Sequence, residues 1–295
     1  MSAPHDGRRA SAPAYAKNTW RYLRLAMVAV VVGLGVSVVI ERVKVSPGCF
    51  QTSISAYYYT PVRGVFVAAL VTLGVCLVCL RGSTDIEDLL LNVAGMLAPV
   101  VAFVPTPRYA PSCTSVAAPI EHVGANVANN VVALLILSGI ALLIVGGVLL
   151  FTQATLPARI GGAVGAVLWV ATLVVFLSAR DAFLDNAHDV AAALMFLCIV
   201  GAAVDNALDT KRVHRRAVYI GLAAAMVAAL VIIWIVGRAT GWRYWTILVE
   251  AVVLALFVVF WLVQTEDLWD QGIRPRSEGK REPSLPTRLS RSSAR

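Results

Sequence analysis

Arg63, His188, Asp189 and Glu250 are the residues of this chain whose types and depth could do chemistry. Each stands in, or at the mouth of, a long apolar run, where an ionisable group is costly and is therefore a functional-site candidate by default. Glu250 lies about six residues into its run, roughly 9 Å deep at 1.5 Å per helical residue. A carboxylate at that depth needs a partner, and Arg63 is the cation nearest in depth. Two readings stay open. The cluster is either an ion pair that fixes helix packing, or a polar pocket for a headgroup, a small solute or an ion, with Tyr57 and Asn129 beside it. Metal-activated water is a third chemistry, and it would draw on Glu121, His122, His188 and Asp189. No HExxH or similarly spaced pair supports it, so no catalytic residue, metal or cofactor is expected.

Eight apolar segments must position these residues. They run over Leu25–Ile40, Val62–Leu80, Leu89–Val104, Val131–Phe151, Ile160–Leu177, Ala187–Val204, Ala217–Val236 and Tyr244–Val263. A helix of about 20 residues crosses the ~30 Å hydrocarbon core. Lipid offers no partner to a backbone amide, so apolar runs of this length imply helices. The expected fold is all-α, a polytopic transmembrane bundle of about eight spans over residues 20–268. Flanking it are a basic N-terminal segment, 1–19, and a basic tail, 269–295, both too poor in apolar surface to order themselves. Composition agrees: 59% of residues are hydrophobic and 14% charged, against about 25% charged in a soluble domain.

The net charge of +8 sits mainly in the termini and alternate loops, as a topology signal does, so no nucleic-acid partner is expected. Of the 25 Lys and Arg residues, 18 fall on the side of both termini, which the positive-inside rule makes cytoplasmic. Trp20, Tyr22, Trp261 and Trp269 then mark the inner interface, and Tyr57, Tyr58, Tyr59, Trp242, Tyr244 and Trp245 the outer one. Cys49 and Cys113 share the outer, oxidising face, where a disulfide or two unpaired thiols are both open. Cys76, Cys79 and Cys198 lie in membrane segments, where thiols pack as small apolar groups. The first run is followed by Glu41, Arg42 and Lys44 rather than by a small-residue cleavage site, and reads as an anchor.

Other motifs are few. There is no GxSxG and no phosphate loop. Asn92 and Pro99 could kink the third segment, and Gly161 with Gly165 offers a close-packing face. No internal repeat is visible, which weakens the case for a secondary transporter.

Ser53-Ile54-Ser55-Ala56-Tyr57-Tyr58, followed by Arg63 and Phe66-Val67, resembles a stretch found in a group of uncharacterised bacterial multi-pass membrane proteins. Asn92, Ala94-Gly95 and Pro105-Thr106 resemble that group's third helix, His188 a later element, and Glu250-Ala251 with Trp261-Leu262-Val263 its closing helix. The likeness covers residues 50–107 and 187–264; a more remote one links the first loop to DRAM- and Frag-type membrane proteins. The group has about six spans, so segments four and five look like an added hairpin. Gln264-Thr265 stands where the group usually has Lys-Gly. The resemblance implies no established activity, but it selects Arg63, His188 and Glu250.

The expected protein is a non-enzymatic, multi-pass component of the bacterial cytoplasmic membrane. It would meet membrane lipids and bind a lipid headgroup, a small solute or a protein partner, a second copy included, through an outward-facing polar pocket. A transporter or channel is the first alternative, and a metal-dependent intramembrane hydrolase the second.

Overall fold

The structure is a computed structural model that describes residues 14–106 and 123–269. The described chain is all-α: α1 (Ala14–Lys44), α2 (Arg63–Cys79), α3 (Asp85–Phe103), α4 (Val123–Phe151), α5 (Leu156–Ser178), α6 (Arg180–Asp209), α7 (Val213–Thr240) and α8 (Trp245–Asp267). Short 3-10 turns at Pro47–Cys49 and Ser55–Tyr59 lie between α1 and α2. Seven of the helices are long and apolar enough to cross a membrane. The exception is α2, whose 17 residues give about 26 Å at 1.5 Å per residue, near the lower limit for a span.

Local chemistry explains the ends. Thr84 caps α3 by accepting the Glu87 amide at 2.9 Å, and Asp85, Glu87 and Asp88 place negative charge in its first turn. Pro157 opens α5, where its missing amide costs nothing. Gly241, at φ 64°, closes α7 in the left-handed conformation that glycine adopts freely and turns the chain into α8.

Several helices start earlier than the sequence reading has them, α4 at Val123 rather than Val131 among them. α1 begins at Ala14 and so takes in residues assigned to an unstructured terminus. α6 begins at Arg180, seven residues before Ala187, and Ala179 alone separates it from α5. The charges of residues 180–186 read as a loop, yet the segment holds no Gly or Pro and points Arg180, Asp181 and Asp185 outward.

Helices α1, α2, α3, α6, α7 and α8 pack in that order, and α8 closes back on α1 to complete a ring. The α4–α5 hairpin, the pair set apart as an addition, leans on α3 and α6 from outside. Its most apolar stretches are only 6% and 11% buried, against 44% for α3. We call the end where α1 starts and α8 finishes the terminal end; there Arg21 donates to the Trp269 carbonyl at 3.1 Å. The opposite end is the loop end. Between them the ring is filled by Leu91, Ala94, Ala98, Tyr219, Met226, Phe257, Phe260 and Trp261, all buried.

α2 and α3 approach each other closely. A Cβ on Gly74 would stand 2.7 Å from the Gly95 carbonyl oxygen, and one on Gly95 the same distance from that of Gly74. Small residues allow such contacts between membrane helices. Gly95→Leu is accordingly expected to destabilise the fold by about 1–3 kcal/mol, read as a lower unfolding midpoint in detergent. An unchanged midpoint would mean that the two helices are not in contact there.

Candidate functional site

The loop end is closed by a segment of backbone. Residues 53–60 are buried without interruption, and buried amides and carbonyls must find partners. Ser53 Oγ accepts the Ala56 amide at 3.0 Å, and Thr60 Oγ donates to the Tyr57 carbonyl at 2.7 Å. From α8, the Ile247 amide donates to the Thr52 carbonyl at 2.9 Å. Glu250 supplies the acceptor for the Ile54 amide and takes a hydrogen bond from Ser55 Oγ at 3.3 Å. The Tyr59 hydroxyl donates to the Thr106 carbonyl at 2.9 Å. The Ser-Ile-Ser-Ala-Tyr-Tyr stretch is thus a plug seated in the ring and tied to α8 through Glu250.

The expected pairing of Glu250 with Arg63 does not form. Arg63 donates to the Tyr58 hydroxyl at 2.8 Å, its guanidinium 4.4 Å above that ring. The half-buried carboxylate found amide and hydroxyl donors instead of a cation. His188 is buried too, and its Nδ1 lies 2.7 Å from the Val104 carbonyl and 3.1 Å from that of Val101. Two carbonyls can only accept, so Nδ1 carries the proton and His188 caps the C-terminus of α3. Asp189 on α6 and Asn129 on α4 are exposed. Of the six proposed ligand-binding residues, Tyr57, Arg63 and Glu250 therefore meet at the plug, Asp189 stands close enough for its charge to act on Glu250, and no contact of His188 or Asn129 with them is found among the described residues. Glu121, His122 and Cys113 lie outside the described residues, so the Cys49–Cys113 pairing stays an expectation; the free thiols among the described residues are Cys76, Cys79 and Cys198. No group of three or more His, Cys, Asp or Glu among the described residues could hold a metal.

What surrounds Tyr57 was not legible beforehand. Its hydroxyl, Oε1 of Glu41 and Oε1 of Gln51 are buried without a hydrogen-bond partner among the described residues. Tyr57 is 1% exposed and Glu41 6%. Burial pushes the Tyr57 phenol above its ordinary value; the charge of Arg42 pulls it back and that of Glu41 adds to the rise. The Gln51 backbone amide faces the same hydroxyl. Arg42 lies 4.2 Å over the Phe50 ring and 5.9 Å from that of Tyr244. Native interiors seldom leave polar atoms unmatched, so these three need an explanation.

The terminal end carries a second polar cluster that the sequence reading passed over. Glu87 is fully buried and accepts from the Ser83 amide at 2.5 Å, Asn206 Nδ2 at 2.7 Å and Gln264 Nε2 at 2.5 Å. Gln264 Oε1 in turn accepts from Arg24 at 2.7 Å. One amide thus stands between a cation and an anion, its oxygen toward the first and its nitrogen toward the second. Arg24 lies between Trp20 and Trp261, 4.0 and 4.9 Å from their ring centres. The Thr84-Asp85-Ile86-Glu87 spacing of a capping box was the available signal. This cluster pairs its charged groups through its own hydrogen bonds, although the indole nitrogens of Trp20 and Trp261 are buried without a partner among the described residues.

No family model, curated protein or solved structure matches the chain.

Proposed function

We propose that this integral membrane protein binds a small polar ligand at its loop end, beneath the plug, without transforming it. The observation that carries the reading is the trio of buried polar atoms without partners on Glu41, Gln51 and Tyr57. Such atoms cost about 1–3 kcal/mol each when nothing meets them, and a ligand with hydrogen-bond donors would meet all three. A transporter fits less well, because apolar side chains fill the ring between its two polar ends. Hydrolysis fits least, since His188 is buried while Asp189, the residue proposed to act with it, is exposed.

Native mass spectrometry of the purified chain tests this. A stoichiometric non-protein mass is expected on the wild type and is expected to be lost from the Glu41→Gln, Gln51→Leu double variant. A bare wild-type chain overturns the reading.

The Lys and Arg distribution supports a cytoplasmic terminal end, which places the ligand outside, in the bacterial inner membrane. Membership of the uncharacterised multi-pass group belongs to the same proposal, supported by the motif at the plug. So does the disulfide between Cys49 and Cys113. Alkylation of the denatured chain without reductant is expected to mark three cysteines, and with reductant all five. Five marked without reductant would remove the disulfide.

A further inference from the structure

We infer that the ligand at the loop end is a zwitterion, its ammonium held by Glu41, Gln51 and Tyr57 and its anionic group by Arg42. The inference rests on the binding function proposed above and names the chemistry of the ligand.

Glu41 and Arg42 are consecutive in the last turn of α1, and the charges of both reach the Tyr57 hydroxyl. They form no ion pair with each other. The unmatched oxygens of Glu41 and Gln51 are acceptors, and a phenol can accept as well. An ammonium brings three donors to three such atoms. It also stands at the C-terminus of α1, where the helix dipole favours positive charge.

Arg42 is placed for the opposite partner. Its guanidinium lies 4.2 Å over the Phe50 ring with Tyr244 beyond, and it has no hydrogen bond or ion pair among the described residues. Guanidinium N–H groups bind carboxylate or phosphate oxygens in pairs. A simple cation would leave Arg42 unmatched, and a simple anion would be opposed by Glu41. A molecule with both charges a few bonds apart matches both residues. Two sources share that chemistry: the phosphoethanolamine headgroup of a lipid and a free α-amino acid.

The test uses the full chain, stripped of lipid in detergent, with four probes: phosphatidylethanolamine, phosphatidylglycerol, free alanine and ethylammonium. Retention is read by native mass spectrometry. At least one zwitterion is expected to bind ten-fold or more tightly than phosphatidylglycerol and ethylammonium. Preference for phosphatidylethanolamine makes the source the membrane, and preference for alanine makes it the aqueous phase. Glu41→Gln and Arg42→Gln are each expected to erase the preference, Glu41→Gln by weakening the zwitterion to the level of phosphatidylglycerol and Arg42→Gln to that of ethylammonium. The wild-type comparison stands even if a variant fails to fold. Equal or tighter binding of phosphatidylglycerol or ethylammonium overturns the zwitterion and leaves the binding function intact. Retention of none of the probes by a chain that also carries no mass before stripping overturns both.

Discussion

Replacing Glu87 by alanine is expected to cost the fold about 3–5 kcal/mol, the range for removing one partner from a buried charged network. Its carboxylate is the common acceptor for the Ser83 amide and the side-chain amides of Asn206 and Gln264, on α6 and α8. Alanine strands three buried donors and removes the anion that Gln264 links to Arg24. The more discriminating substitution is Glu87→Gln, which keeps the shape. All three partners present N–H groups, and turning either side-chain amide to accept would break its bonds to Ala202, to Arg24 or between Asn206 and Gln264. A glutamine nitrogen must therefore face a donor whichever way the amide is set, so Glu87→Gln is expected to lose nearly as much as alanine. Unfolding midpoints in detergent measure both. A glutamine variant as stable as the wild type would overturn the arrangement of three donors around Glu87.

The spans were legible because the bilayer leaves little choice: thickness sets the length of an apolar run, and unsatisfied amides exclude anything but a helix. Their boundaries were less so. Arg180 to Asn186 looked like a loop because charge marks the edge of a hydropathy window, although every residue there tolerates a helix. Depth alone found Glu250, but depth names no partner. Charge complementarity nominated Arg63, and the actual partners are an Ile54 amide and a Ser55 hydroxyl, which become visible only once residues 53–60 are known to be buried. Arg24, Glu87, Asn206 and Gln264 come from four different helices. Each alone reads as an ordinary polar residue flanking a span, and only packing converts them into one network. Glu41 and Arg42 were hidden in the same way, as flanking charge after the first segment.

Glu250→Ala is the second large effect, and it separates the plug from the terminal network. The substitution removes the acceptor of a buried backbone amide that no side chain nearby can replace. With the Ser55 bond also gone, about 2–4 kcal/mol is expected at 1–3 kcal/mol for each stranded group. Glutamine should behave differently here. Its oxygen can keep the Ile54 amide, and its nitrogen can donate to Ser55 Oγ, because a hydroxyl accepts as readily as it donates. Glu250→Gln is therefore expected to lose about 1 kcal/mol, the worth of a single hydrogen bond, where Glu87→Gln loses most of its site. A double-mutant cycle of Glu250→Ala with Ser55→Ala should show a coupling energy of at least about 0.5 kcal/mol, as residues in contact do. The ligand site answers to the same change. Glu250 touches none of the three unmatched atoms, but it anchors the segment that carries Tyr57, so Glu250→Ala should free the plug and release any bound mass while α1 and Glu41 stay in place. Retention of that mass by a destabilised Glu250→Ala chain would mean that the ligand does not depend on the plug.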